Sequence, residues 1–433
     1  MSRSVVIALL VITMVAGVIT SIVPEFPSED LRASWLAGVF FESGRLDQIY
    51  PADTEAYTML PPSEWVHYMR ARNRNGDIFP FIYPPLWAAV FAWLGKLTDF
   101  STIAAIAGFI NTLLLGGMIL LAWKASASRM SPVGFTMVGL LVLILTTIGS
   151  VGLLQNQLQI LVGFLMVLAI ERTRSGAEIA AGTALALAAA IKAYPAAFAL
   201  LWLASGHRRA FIAFLVSGGM LALTSVAVAG WPLHQEFLHQ LALIKKTVIL
   251  TKFSYSIDPA IGQLFFADDL RLIPSLSNTE DAEDPVGWFI ILKHPLWNLI
   301  SSLLMVLVIV VVALAMRRRN IGNIWLLWPL AFVLFALLSP ISWGYHYLPA
   351  VAFAPVLMTR FGTARGGMLL ALLFLPEFIL LIDLYKPAGP ISHPAQLAGT
   401  MAMAGYAFAL GMAAGGAGTA PCRQAQPAGE KRR

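Results

Sequence analysis

Four places in the chain put polar or ionisable side chains into or beside long apolar runs, where an ionisable group is a functional candidate by default. Asp30 follows the first apolar run, in "PSEDLRASWLAG". Its carboxylate could take a proton from a hydroxyl as a general base. Alternatively, Ser28 caps a helix there, and Glu29 and Asp30 only complement its dipole. Lys192 is the one charge in "ALAAAIKAYPAAFALL". An ammonium beside the Pro195 break suits a phosphate as a point charge, or it snorkels to a headgroup. Gln155, Asn156, Gln157 and Gln159 interrupt two apolar runs in "VGLLQNQLQ", where amides can bind the hydroxyls of a sugar or cap a helix start. His346 lies in "SPISWGYHYLP" and could donate to a phosphate or move a proton near neutral pH. Its neighbours Trp343 and Tyr347 read as interfacial belt aromatics. Phe81, Tyr83, Pro84 and Pro85 in "FIYPPL" read as a stiff approach to the membrane and not as chemistry.

Other chemistries leave no trace. The sequence has no Walker loop, GxGxxG, HExxH or CxxC, so nothing in it cradles a nucleotide and no cofactor is expected. The single Cys422 sits in a polar tail, which removes a disulfide framework or cysteine metal site. No metal site is expected.

The elements that must position these residues are membrane helices. The 433 residues are 58% hydrophobic and 12% charged, with a mean hydropathy of +0.76. Apolar runs of spanning length recur throughout, so the expected fold is an all-α polytopic membrane protein. Residues 4–22 could be a cleaved signal peptide, but "GVITSIVPEF" lacks a small-x-small site, and the run is read as a retained first span. Two polar insertions, 24–82 and 230–295, hold nine and eight of the 23 acids. The short connections instead carry Lys124/Arg129, Arg172/Arg174, Arg208/Arg209, Arg317–Arg319 and Arg360/Arg365. By the positive-inside rule both insertions face outward. All basic loops fall inside if 84–97 packs or dips without crossing, which leaves twelve crossings and cytoplasmic termini. The net charge of +6 is then topogenic, not a nucleic-acid footprint.

One domain is expected over 1–413, with a disordered cytoplasmic tail over 414–433. In the first insertion, Leu31, Trp35, Leu36, Val39 and Phe40 form one stripe of a helix over 30–43, expected to lie in the headgroup plane. "PPSEWVHYMRARNRNGD" is expected to form a turn-rich cap. The second insertion reads as helices over 233–251 and 258–270 followed by the acidic loop "SNTEDAEDP". The topology brings Asp30, the amides, Lys192 and His346 to one outer face.

Together, "DLRASWLAGVFFESGRLDQIYP", "YPPLW", "QNQLQILVGFL", "AGTALALAAAIKAYP" and "SPISWGYH" resemble glycosyltransferase family 87 of the GT-C superfamily. The resemblance covers Asp30 to about Arg209 and Ser339 to Tyr347. It implies a GT-C-type helical bundle that moves a sugar, usually mannose, from a polyprenyl-phosphate donor to a lipid or glycan acceptor, without a nucleotide. It also implies transfer on the non-cytoplasmic face, and the organisation of the chain suits a bacterial inner membrane with the active site toward the periplasm. Carried over, Asp30 matches the acidic residue after the first span and is the base. Lys192 matches the lysine of a Lys-x-x-Pro stretch, Asn156 the asparagine of a Gln-Asn pair, and His346 the second histidine of Ser-Trp-x-His-His. The reading that follows assigns Asp30 and His346 to catalysis, Lys192 and Arg32 to the donor phosphate, and Gln155, Asn156 and Gln157 to the sugar. The chain departs from the pattern at Tyr345, in place of the first histidine, at Leu154, in place of a glycine, and before Ser256, where Asn-Gln is missing. A transporter or flippase of lipid-linked sugars is the alternative reading.

Overall fold

The computed structural model describes residues 2–22, 27–51, 54–72, 77–274, 287–318, 323–385 and 393–416. The acidic "SNTEDAEDP", Arg319 and the tail from residue 417 lie outside them. The chain is overwhelmingly helical. Six described helical segments are long and apolar enough to cross a membrane: Arg3–Ile22, Phe100–Ser126, Arg208–Ala229, Pro295–Arg317, Thr363–Asp383 and Pro394–Gly415. A seventh candidate is the pair Pro132–Leu145 and Thr147–Leu154, bent by 70°. Leu86–Leu97, Glu178–Ile191, Tyr194–Ser205 and Ile324–Leu338 are shorter and apolar.

In chain order, α1 (Arg3–Ile22) packs on α5 (Phe100–Ser126), and α2 (Glu29–Glu42), α3 (Ser63–Arg70) and α4 (Leu86–Leu97) lie between them in sequence. Protein covers α2 well beyond the apolar stripe expected from the sequence: Leu31, Ala33, Ser34, Leu36, Ala37, Gly38 and Phe40 are all buried. The reason is α4: a Cβ on Gly38 would come within 2.6 Å of the Phe91 and Ala92 backbone, an approach that only glycine permits. The expected cap is likewise a helix, α3, whose Trp65 is fully buried against Phe40 and donates to the Gln48 carbonyl at 2.8 Å.

After α5 come α6 (Pro132–Leu145), α7 (Thr147–Leu154), α8 (Gln159–Arg174) and α9 (Glu178–Ile191). Ser131 caps α6 by accepting from Gly134 N, with Pro132 in the first turn. At the far end of α8, buried Glu171 pairs with Lys124 at 2.6 Å and Arg172 at 2.5 Å, so these basic loop residues also join helices. α9 stops at Lys192, whose extended backbone leads into a 3₁₀ turn at Tyr194–Ala199 with Pro195 at its start. The turn runs into α10 (Leu200–Ser205) and then α11 (Arg208–Ala229).

The second insertion departs most from expectation. α12 (Trp231–Lys246) ends where β1 (Thr247–Leu250) begins, and α13 (Ile257–Phe265) is followed by β2 (Arg271–Pro274) and β3 (Gly287–Leu292). The strands form an antiparallel sheet ordered β1-β3-β2. "TVIL" and "GWFIIL" are β-branched and aromatic, which suits strands and weakens a helix reading. The bundle closes with α14 (Pro295–Arg317), α15 (Leu327–Leu338), α16 (Leu348–Val351), α17 (Val356–Phe361), α18 (Thr363–Ala371), α19 (Leu375–Tyr385) and α20 (Pro394–Gly415). The apolar residues 347–358 form no single span but short, largely buried helices joined by a turn. α20 packs on α15 and keeps Gly399 against the Tyr255 ring, where any Cβ would collide.

Candidate active site

A cavity of about 430 Å³ lies between the start of α2, the turn after α7, the end of α9, α12, α15 and the segment before α16. Asp30, Gln155, Gln157, Lys192 and His346 all line it. The structure thus brings together five residues that the sequence scatters over more than three hundred positions.

Asp30 is held by its backbone and by its carboxylate. Ser28, left-handed at φ +53°, makes no side-chain cap, contrary to expectation. Gln155 caps from afar instead: its Oε1 accepts from Glu29 N at 2.9 Å and Asp30 N at 3.4 Å, and its Nε2 donates to Glu29 Oε2 at 2.8 Å. Gln157 Nε2 donates to Asp30 Oδ2 at 2.6 Å, and Tyr83 OH donates to Gln157 Oε1. Burial lifts the Asp30 carboxyl to about 6, against the opposing pull of Lys192 and the Gln157 bond. That places a proton acceptor near neutrality, where a base is most effective.

Lys192 is nearly buried at the break after α9, with its Nζ over the rings of Tyr345 at 5.4 Å and Tyr83 at 5.5 Å. Burial lowers its ammonium to about 8 although Asp30 raises it. His346 Nε2 is 3.5 Å from Lys192 Nζ, while His346 Nδ1 accepts from Trp343 N at 3.0 Å. A neutral imidazole that accepts at Nδ1 carries its proton on Nε2. Burial, then Lys192, pushes His346 well below its ordinary range and keeps it neutral. Two donors, Nε2–H and the ammonium, therefore converge on one point, and an oxyanion between them satisfies both.

Two sequence-assigned residues lie elsewhere. Arg32 does not line the cavity: its guanidinium donates to the Pro27 and Asp77 carbonyls and sits 5.7 Å from the Phe100 ring centre. Two residues along a helix turn a side chain by about 200°, so Asp30 and Arg32 face apart. Asn156 is fully buried and left-handed at φ +47°; its amide donates to Ser28 Oγ and the Ala104 carbonyl, both at 2.9 Å, and accepts from Asn111. It ties α2 to α5 and leaves Gln155 and Gln157 facing the cavity.

Sequence reasoning also passed over participants. Tyr83 and Trp343, read as structural or belt residues, line the cavity with Tyr57 and Tyr345. Tyr347, read as belt, is fully buried and donates to the Tyr255 carbonyl at 2.9 Å. The signal for Tyr83 was its place beside the Pro84–Pro85 turn, which fixes the residue before it in extended geometry. Among the described residues no group of three or more His, Cys, Asp or Glu side chains is placed to share a metal ion.

A helical membrane bundle with a carboxylate, amides and a cation in one cavity is an arrangement suited to a membrane glycosyltransferase. The model of glycosyltransferase family 87 matches residues 81–340, more than half of the chain, and the protein belongs to that family. No curated protein matches it.

Proposed function

We propose that this glycosyltransferase moves mannose from a polyprenyl-phosphate donor to a lipid or glycan acceptor on the periplasmic face of a bacterial inner membrane. One observation carries the reading: the Asp30 carboxylate and the Lys192–His346 donor pair border the same cavity. The donor phosphate rests on Lys192 Nζ and His346 Nε2–H. Its prenyl chain runs along the apolar bundle wall of Met166, Phe332, Phe335 and Pro349 toward the bilayer. Asp30 takes the proton of the acceptor hydroxyl as that oxygen attacks the anomeric carbon opposite the phosphate. The glycosidic C–O bond to phosphate breaks, polyprenyl phosphate leaves with the bonding pair, and the anomeric configuration inverts. The two donors stabilise the charge that grows on the leaving phosphate. The test is transfer of radiolabel from polyprenyl-phosphate mannose to an acceptor panel by the purified chain in liposomes. Transfer by the wild-type protein is expected; a failure of every polyprenyl-phosphate sugar to serve as donor refutes the reading.

A further inference from the structure

The cavity has two chemically different walls. On the bundle side, the Lys192–His346 pair is backed by Tyr194, whose ring lies 6.2 Å from His346 and stacks on Phe335 at 6.3 Å. On the insertion side, Tyr57, Phe79 and Trp288 belong to a second hydrophobic cluster, which Trp343 joins to the main core. Trp288 comes from β3, the central strand of the sheet, and meets Trp343 edge-on at 6.2 Å and Phe79 at 6.0 Å. Among the described residues Lys192 is the only Lys or Arg on the cavity, against the carboxylates Glu29, Asp30 and Asp77. The described insertion wall therefore offers aromatic faces and no cation of its own.

One hydroxyl on the cavity lining makes no hydrogen bond among the described residues: Tyr57 Oη is buried and unpartnered, on a residue 3% exposed. Tyr57 is nonetheless firmly held: its N–H donates to Thr247 Oγ1 at 3.0 Å, at the start of β1, and Met59 beside it takes a left-handed φ of +60°. A buried hydroxyl without a partner is costly, and residues kept in such states cluster at ligand sites.

From the aromatic wall and its unpartnered hydroxyl we infer that this wall, built on Tyr57, Phe79 and Trp288, is the subsite for the acceptor, and that the acceptor presents a neutral, hydroxyl-rich sugar ring. The C–H face of such a ring lies on an aromatic face, whose π-system is negative. One of its hydroxyls accepts from Tyr57 and others donate to the carboxylates, and Asp30, which lines the same cavity, receives the proton. A phosphate would meet no cation among the described residues here. The small sheet then has a purpose, to carry Trp288 to the cavity. This assignment rests on the transfer reading above and adds the class of acceptor to it.

The test uses the full chain in lipid nanodiscs, methyl α-mannopyranoside as a neutral ring without phosphate or lipid, and farnesyl phosphate as a lipid phosphate without sugar. Tyr57→Phe and Trp288→Leu are each expected to weaken methyl mannoside binding about fivefold or more, the worth of one neutral hydrogen bond or aromatic contact, with farnesyl phosphate affinity unchanged. Lys192→Ala is expected to show the reverse. Tyr57→Phe should melt no lower than wild type, because it removes a hydroxyl with no partner. Tyr50→Phe, which removes a donor to the Tyr83 carbonyl at 2.7 Å, should melt lower. Methyl mannoside should also bind with farnesyl phosphomannose already in place. Equal binding by wild type and Tyr57→Phe, or no saturable binding by wild type, overturns the subsite. Competition between methyl mannoside and farnesyl phosphomannose assigns the wall to the donor's own sugar and overturns it too. A transfer-competent Asp30→Asn protein strikes the base assignment alone and leaves these titrations standing.

Discussion

Replacing Asp30 by Asn keeps the shape of the side chain and leaves Gln157 Nε2 an acceptor where it now meets a carboxylate oxygen at 2.6 Å. What is lost is the basic electron pair, worth about a hundred- to ten-thousandfold in rate. Stability moves the other way. The Asp30 carboxyl rises from 3.8 to about 6 in the fold, first through burial, which corresponds to about 3 kcal/mol against the ionised form. A carboxyl raised on folding stabilises the fold fully below 3.8, and that contribution is gone once the pH passes about 6. At pH 7 the wild-type protein therefore carries the cost of an ionised buried carboxylate, and the neutral Asn does not. Asp30→Asn should lose transfer activity by at least about a hundredfold while melting at or above the wild-type temperature. The assay is radiolabel transfer in proteoliposomes, with the melting temperature read on the same preparation. Full activity in the folded variant refutes the base. A marked fall in melting temperature together with activity shows that the carboxylate serves the fold instead.

Transfer should follow a bell-shaped pH profile, rising as Asp30 ionises near 6 and falling as Lys192 deprotonates near 8, with both limbs belonging to the interacting pair; a flat profile from pH 5 to 9 contradicts the pairing of roles. Lys192→Ala should weaken binding of a polyprenyl-phosphate sugar by tenfold or more, about 1.4 kcal/mol or above, and unchanged affinity returns the lysine to a snorkelling role. Gln155→Ala removes the acceptor for Glu29 N and Asp30 N, at a cost of about 1 kcal/mol as for other helix caps, and should lower the rate at saturating donor; an unchanged rate shows that α2 holds Asp30 without it. Gly399→Ala drives a methyl into the Tyr255 ring and should lower the melting temperature by several degrees, about 1–3 kcal/mol, and an unchanged melting point shows that α20 can move aside.

The helical membrane architecture was legible because spanning runs, basic short loops and acidic insertions all point the same way. Asp30, Lys192 and His346 were legible because each is a costly choice at its position. Arg32 was misplaced by proximity in sequence, although helical phase alone sets it on the far side of α2 from Asp30. Asn156 was misplaced because the left-handed turn that aims Gln155 and Gln157 at the cavity points the residue between them the other way, and sequence does not announce that turn. The sheet was hidden because its strands are four to six residues long and pair across a long intervening stretch. The burial of α2 was hidden for a related reason: the stripe from Leu31 to Phe40 says that a surface is apolar, not whether lipid or α4 covers it.

The structure of the chain with farnesyl phosphomannose bound tests the account at its centre. The mechanism requires the phosphate oxygens within hydrogen-bond reach of Lys192 Nζ and His346 Nε2, with the anomeric carbon turned toward Asp30 and its open face free for an incoming hydroxyl. A phosphate seated on Arg32 or outside the cavity, or an anomeric carbon shielded from Asp30 by solid protein, contradicts it.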